Sequence, residues 1–323
     1  MMQYQRCETR FEVESADPIF LADVLHGLAS PQRAIPPRWF YDRQGSELFE
    51  QITRLPEYYL TEAERQILST QMPAMAAALG GGRMVVEFGS GSSSKTPLLL
   101  AAVEPSSYVP IDISGEFLRE SVKPLAADFP RLPIHPIAAD FTHAVALPTD
   151  GRARLGFFPG STIGNLDEAE AIDLLRHFGQ LLGREALLLI GFDRRKSPEV
   201  LIPAYDDAQG VTARFNLNLL GRINRELGGT LELDGFAHEI RWNDARSRIE
   251  MHLRACRDQS FVVAGRSFQM RAGETIHTEN SYKHHPRAAA LLLRAGGWEP
   301  LGEWTDARGL FSVFAARRVG DGR

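Results

Sequence analysis

Val85-Val86-Glu87-Phe88-Gly89-Ser90-Gly91-Ser92-Ser93-Ser94-Lys95-Thr96 is an apolar run of strand length that enters a glycine turn and then a helix. Glycine in such a turn lets the backbone approach a ligand closely, and the helix start offers N–H groups without intrahelical partners. The stretch is one residue short of the phosphate-binding pattern G-x-x-x-x-G-K-[ST], which fails only at Ser94. A plain strand–turn–helix junction also accounts for it. The next apolar run, Tyr108–Ile113, carries Asp112 near its end, where nucleoside-binding α/β folds place the carboxylate that grips ribose hydroxyls. An adenosyl ligand explains both features, and a nucleoside triphosphate explains only the first.

Outward from this stretch, strand-length apolar runs alternate with segments of helical period, which predicts a mostly parallel sheet covered by helices on both faces. Ile134–Ala139 precedes Asp140-Phe141, Leu155–Phe158 precedes Pro159-Gly160-Ser161-Thr162, and Ala186–Phe192 is closed by Asp193. Glu116–Asp128 places Phe117, Val122, Leu125 and Ala126 roughly on one helical face, and Glu168–Leu182 does so with Ile172, Leu175, Phe178 and Leu182. The rhythm breaks after Asp193. It resumes at Pro286–Ala295, a helix opened by proline and ended by Gly296-Gly297, with two closing strands at Trp298–Trp304 and Leu310–Ala316. This plan resembles the class I methyltransferases, whose sheet ends in an antiparallel hairpin. Residues 61–195 and 283–323 are therefore expected to form the Rossmann-like α/β domain. Residues 1–60 and 196–282 are expected to form an inserted α+β lobe over the carboxyl ends of the strands.

Asp140 with Phe141 offers a carboxylate acceptor beside an aromatic face, suited to adenine, although aspartate after a strand also serves as a helix cap. With Gly89, Gly91 and Asp112 it favours S-adenosylmethionine over a nicotinamide, since no G-x-G-x-x-G occurs. Ser161, Thr162 and Asn165 lie in the turn that faces the transferred methyl group in class I methyltransferases, or else only cap the next helix.

The chain of 323 residues is 44% hydrophobic and 24% charged, which fits an ordinary globular protein, and its formal charge of −5 disfavours nucleic acid. Cys7 and Cys256 show no ligand or disulfide spacing, so neither zinc nor a disulfide framework is expected. His277 and the pair His284-His285 lack a matching carboxylate or cysteine and are not expected to bind metal. The polar residues 1–10 lack the apolar core of a signal peptide, and Ala186–Phe192 is too short to span a bilayer. A cytoplasmic monomer without a membrane partner is expected.

Several blocks closely resemble the bacterial histidine Nα-methyltransferases of the ergothioneine pathway: Trp39-Phe40-Tyr41-Asp42, Gly45-Ser46-Glu47-Leu48-Phe49, 52–59, 160–165 and Ala204-Tyr205-Asp206-Asp207. Val211-Thr212-Ala213, Phe215-Asn216, Ile223-Asn224-Arg225-Glu226, Arg248-Ile249-Glu250-Met251 and Thr278-Glu279 extend the likeness from about residue 30 to the terminus. Leu60 and His284 depart from the family's usual proline and aromatic residue. The resemblance implies that Tyr41, Gly89, Lys95, Asp112, Asp140 and Phe141 hold the cofactor. It implies a histidine pocket of Tyr58, Gly160, Asn165, Tyr205, Met251, Glu279 and Ser281.

In that pocket Asn165 and Tyr205 would fix the substrate carboxylate, Tyr58 would border the amine, and Gly160 would leave room for added methyl groups. Glu279 and Ser281 are two apart, so an extended segment would turn both toward one face, where they could hold the two imidazole nitrogens. Met251 would fill the pocket's side. The implied reaction is trimethylation of histidine to hercynine, with orientation and water exclusion doing the work. Three rivals remain: methylation of another amino acid or dipeptide amine, an NTPase built on Gly89–Thr96, and a non-catalytic S-adenosylmethionine-binding protein. Glu279 with Met251 speaks against the first, Ser94 against the second, and the combined set of residues against the third.

Overall fold

The computed structural model describes residues 17–320, so Cys7 and the polar segment 1–10 lie outside the described residues. The chain begins with α1 (Pro18–Ala29), β1 (Arg33–Ala34), α2 (Arg43–Ile52) and α3 (Tyr59–Leu79). Alternation follows: β2 (Met84–Phe88), α4 (Thr96–Val103), β3 (Ser107–Asp112), α5 (Gly115–Asp128), β4 (Ile137–Ala138), β5 (Arg154–Phe158), α6 (Glu168–Leu182) and β6 (Leu187–Asp193). After the short α7 (Pro198–Leu201) and the long α8 (Val211–Leu227) come five strands. They are β7 (Phe236–Asn243), β8 (Arg248–Ala255), β9 (Gln259–Val263), β10 (Arg266–Met270) and β11 (Thr275–Tyr282). The chain closes with α9 (Pro286–Ala295), β12 (Trp298–Thr305) and β13 (Phe311–Arg318).

Seven strands form the main sheet in the order β12-β13-β6-β5-β2-β3-β4. β6, β5, β2, β3 and β4 pair in parallel, and β13 inserts antiparallel between β6 and β12. That order with its reversed hairpin is the class I methyltransferase sheet. All five residues of β2 and all seven of β6 are buried, as strands covered on both faces must be. Val85, Leu155 and Leu189 face a core shared with α3 and α4, while Val86, Phe158 and Leu188 face a second core built with α6 and α9. A capping box between Asp167 and Glu170 starts α6, whose buried Ala171, Leu174, Leu175, Phe178 and Leu182 recur at helical spacing.

Two expectations need correction. Of the run Ile134–Ala139 only Ile137–Ala138 is strand, with a lone bridge from Ile134 to Tyr108, because Pro133 and Pro136 cannot donate to a ladder. On α5 the buried face is Leu118 and Leu125; Phe117 and Val122 are half-buried and Ala126 is exposed.

A second sheet, β1-β11-β8-β7, carries the segment between β6 and α9. β1 joins it by pairing Arg33 with Ile276 and Ala34 with His277, so the N-terminal segment and the insertion share one sheet. Asn216 of α8 braces it, donating to the His252 carbonyl at 3.0 Å and accepting from Thr278 Oγ1 at 2.8 Å. The end of β11 reaches the main sheet, where the His284 N–H donates to the Asp193 carbonyl at 2.8 Å.

Candidate active site

Gly89 and Gly91 both adopt positive φ, at 70° and 50°, in the turn that carries the chain from β2 toward α4. The Gly91 N–H donates to Asp112 Oδ2 and the Ser114 N–H to Asp112 Oδ1, each at 2.9 Å, so the carboxylate at the end of β3 is aimed by backbone on both sides. Burial raises the Asp112 pKa against those two bonds. Beneath the turn, Glu87 accepts from Thr96 Oγ1 at 2.8 Å and Tyr108 Oη at 2.5 Å, which pins the start of α4. Phe141 leans on the turn, 3.4 Å from the position a Gly89 Cβ would take, and packs edge-on to Phe88 and Phe158.

Asp140 Oδ1 accepts from the Thr142 N–H and hydroxyl, while Oδ2 lies 3.6 Å from Arg38 Nη1 and 3.4 Å from His143 Nδ1. Arg38 thus carries a charge from the N-terminal segment to the strand end read as the adenine side. Lys95 does not project freely as a phosphate-binding lysine would, because its ammonium is bonded to the buried Glu64 carboxylate. Glu64 also accepts from the Gly160 N–H at 2.9 and 3.1 Å, which ties α3 to the turns after β2 and β5 at once.

The remaining predicted residues gather where the second sheet meets the strand ends. Tyr58 and Tyr205 rings lie 6.2 Å apart, and Tyr41, Phe49 and Phe215 continue the aromatic wall. Glu279 stands opposite Met251 in the β11–β8 register, so both side chains face one side of that sheet. Burial pushes the Glu279 carboxyl up to about 7, with Lys283 pulling the other way. Burial first, then Glu279 for Tyr41 and, for Tyr58, Tyr205 followed by Glu279, raises the pKa of both well above 10, so both hydroxyls keep their protons. Neither these two hydroxyls, the Glu279 carboxylate nor the Asn165 amide hydrogen-bonds another described residue. Met251 itself is only 2% exposed.

Ser281 and Tyr205 are less free. Their hydroxyls are 2.7 Å apart, and Lys283 Nζ donates to both, at 2.8 and 2.7 Å. Lys283 also meets Asp193 Oδ2 at 2.8 Å, an oxygen that accepts from Tyr59 Oη at 2.7 Å; Lys196 takes Asp193 Oδ1 at 2.6 Å. His284 fills the position of the family's usual aromatic as a neutral ring. Burial lowers its pKa to about 4, and it packs edge-on against Phe192 at 5.2 Å.

A surface groove of about 610 Å³ lies behind the glycine turn, lined by Ser92, Ser93, Phe117 and Glu120 among others, and touches none of the predicted binding residues. Arg38, Glu64, Asp193, Lys196 and Lys283 escaped the sequence reading. Glu64 left a signal, a lone charge on the apolar stripe Leu60, Ala63, Ile67, Leu68.

The sequence profile described as a histidine-specific, S-adenosylmethionine-dependent methyltransferase matches residues 20–318. The chain belongs to this family. A histidine N-alpha-methyltransferase of Mycolicibacterium smegmatis is 41% identical over 312 residues, covering 94% of this chain and 97% of that protein. One of Mycobacterium tuberculosis is 40% identical over 92% of this chain and 94% of its own length. An ergothioneine biosynthesis protein 1 of Neurospora crassa is 29% identical over 84% of this chain and 32% of that longer protein. As a histidine-specific methyltransferase the chain uses S-adenosylmethionine, and its residues fit that group. The glycine turn has open space at Gly91, the buried Ser90 Oγ lacks a partner, and Asp112 keeps lone pairs for ribose hydroxyls. Among the described residues no cluster of His, Cys, Asp or Glu could hold a metal, and no helix is long and apolar enough to cross a membrane.

Proposed function

We propose that the protein transfers three methyl groups in succession to the α-amino group of L-histidine, giving hercynine for ergothioneine biosynthesis. The observation that carries this reading is the Glu279 carboxylate, recessed without a partner beside Tyr41, Tyr58 and Tyr205 and opposite Met251. Glu279 is half-buried and its carboxylate has no partner among the described residues, and an imidazole N–H would satisfy it. Family membership and the mycobacterial relatives support the same substrate.

S-adenosylmethionine, when bound, supplies an electrophilic methyl group on a sulfonium. Gly89, Gly91, Asp112, Asp140, Phe141, Lys95 and Tyr41 are read as its binding residues. Asn165 and Tyr205 take the substrate carboxylate, and Tyr58 borders the amine. The amine, of histidine first and of its mono- and dimethylated products next, would have to release one proton to solvent in each round so that its lone pair could take the methyl group that the sulfonium would supply. Gly160, at φ 78° with only Thr162 Oγ1 near its missing Cβ, leaves space for the growing ammonium centre. Ser281 acts toward the ring as an acceptor, since its proton is committed to Tyr205 whenever Tyr205 donates to the carboxylate; with Glu279 accepting from the other nitrogen, the pair is suited to an imidazolium, which donates from both.

Incubation with S-adenosylmethionine and the twenty amino acids, read by mass spectrometry, tests the proposal. Hercynine as the main product is expected. Methylation of another amine in preference, or none at all, would overturn it.

A further inference from the structure

The ammonium of Lys283 has three N–H bonds, and three buried oxygens take them: Tyr205 Oη, Ser281 Oγ and Asp193 Oδ2. Since Tyr205 and Ser281 also bond each other, one of their two hydroxyl protons lies between them and the other is left over. Below them, Asp193 is flanked by Lys283 and Lys196, with side-chain exposures of 0% for the aspartate and 0% and 9% for the lysines. Two ammonium groups thus share one carboxylate, and only Lys196 keeps a small exposure to water.

The carboxylates around the cluster offset the cost of burying these ammonium groups only in part. Asp306, which accepts from the backbone N–H groups of Arg308, Leu310 and Phe311, also acts by its charge on Lys196. Glu279, pushed up to about 7 by burial, offsets it only in part, and His284 is neutral. Burial lowers the pKa of both lysines against the pull of Asp193, Lys196 to about 8, as an under-compensated buried charge requires. Desolvated positive charge of this kind is stabilised by an incoming anion. The α-amino acid substrate brings one, at the hydroxyl pair that holds the spare proton.

We propose that Lys283 is the positioning residue for the substrate carboxylate: it contributes a buried positive charge that the carboxylates around it offset only in part, and it orients the Tyr205–Ser281 pair so that its spare proton meets that carboxylate. The proposal rests on the reading of an α-amino acid as substrate. Lys283 touches no reacting atom; it acts through two hydroxyls and its field.

Calorimetric titration of L-histidine and of L-histidinamide, which lacks the negative charge, into protein saturated with S-adenosylhomocysteine tests it. The wild-type protein is expected to prefer histidine by at least about tenfold, the scale of a hydrogen bond to a charged group. In Lys283→Met and in Lys283→Gln, which keeps donors but not charge, that preference should collapse while histidinamide binds nearly as in the wild type. S-adenosylhomocysteine affinity reports that the variants are folded. Equal weakening of both ligands would make Lys283 merely structural, and a retained preference in Lys283→Gln would remove the charge from the argument; either result overturns the proposal. Should both variants fail to fold, the wild-type comparison decides, since binding without preference for the carboxylate also overturns it. Absence of binding by either ligand, with no methylated histidine formed, would instead refute the substrate reading.

Discussion

On the proposed function Glu279 sets the specificity of the site, because it is the acidic group there that no other described residue bonds. Glu279→Ala should lower the efficiency on histidine by one to two decades, about 1.5–3 kcal/mol, while S-adenosylhomocysteine binds unchanged. Adding Met251→Val opens volume beside it, and the double variant is expected to gain on tryptophan relative to histidine. Competition between the two amino acids, with products resolved by mass, gives the ratio; an unchanged ratio would place imidazole recognition elsewhere. The same carboxyl has a stability consequence. Its pKa rises from 4.5 to about 7 on folding, so between those values the folded state holds a proton that the unfolded state has lost. Stability contributed by this group therefore falls as pH rises from about 4.5 to about 7 and stays low above. Glu279→Gln should melt higher than the wild type at pH 8, and the gain should shrink toward pH 5; a gain independent of pH would contradict the assignment.

The turns after β2, β3 and β5 are held by carboxylates rather than by their own sequence, and this decides which variants should harm the cofactor side. Asp112 arranges two backbone N–H groups, so Asp112→Ala should weaken S-adenosylhomocysteine in calorimetry without loss of fold. Glu64 is different in kind. Glu64→Ala would leave the Lys95 ammonium and the Gly160 N–H without their acceptor, which for a broken buried pair costs about 3–5 kcal/mol. A drop in melting temperature larger than that of Asp112→Ala is expected; equal melting of the two would mean Glu64 is solvated. These cases also show what the sequence could reveal. β2 and β6 were legible because strands buried on both faces are written as unbroken apolar runs, and α6 because its period and cap agree. Ile134–Ala139 is strand only at Ile137–Ala138 because Pro133 precedes and Pro136 interrupts a run whose composition is otherwise that of a strand. The predicted cofactor residues at the strand ends stand at positions the alternating pattern fixes. Tyr205 and Ser281 were joined by the resemblance alone, and Tyr59, Asp193, Lys196 and Lys283 could not be joined to them from sequence, since their meeting depends on how β11 docks against the end of β6.

Arg38 and Tyr41 stand in the segment after β1 and meet groups on both sides of the site. Arg38 lies in the turn Pro37–Phe40, held by Asp23 at 2.6 Å, and reaches Asp140 at 3.6 Å across from the N-terminal segment. Three residues on, burial first and then the charges of Glu279, Tyr58 and Asp112 raise the Tyr41 pKa, so one hydroxyl feels the carboxylates proposed to read the imidazole and the ribose. A ligand that fixes Asp140 and Asp112 thereby fixes the segment 38–41 and with it one wall of the histidine pocket. Cofactor and substrate should consequently bind with positive coupling. S-adenosylhomocysteine is expected to raise histidine affinity by at least about fivefold, near the lower end of ordinary coupling between sites. Reciprocity supplies an internal check, because histidine must then raise S-adenosylhomocysteine affinity by the same factor. Arg38→Ala cuts the bridge to Asp140 but leaves Glu279, Tyr205 and Asn165 in place, so it should reduce the coupling more than it reduces histidine affinity measured alone. Calorimetric titration of each ligand with and without the other, in both proteins, completes the cycle. Equal histidine affinity with and without S-adenosylhomocysteine in the wild type would show that the two sheets bind their ligands independently and that the Arg38–Asp140 contact carries no message between them.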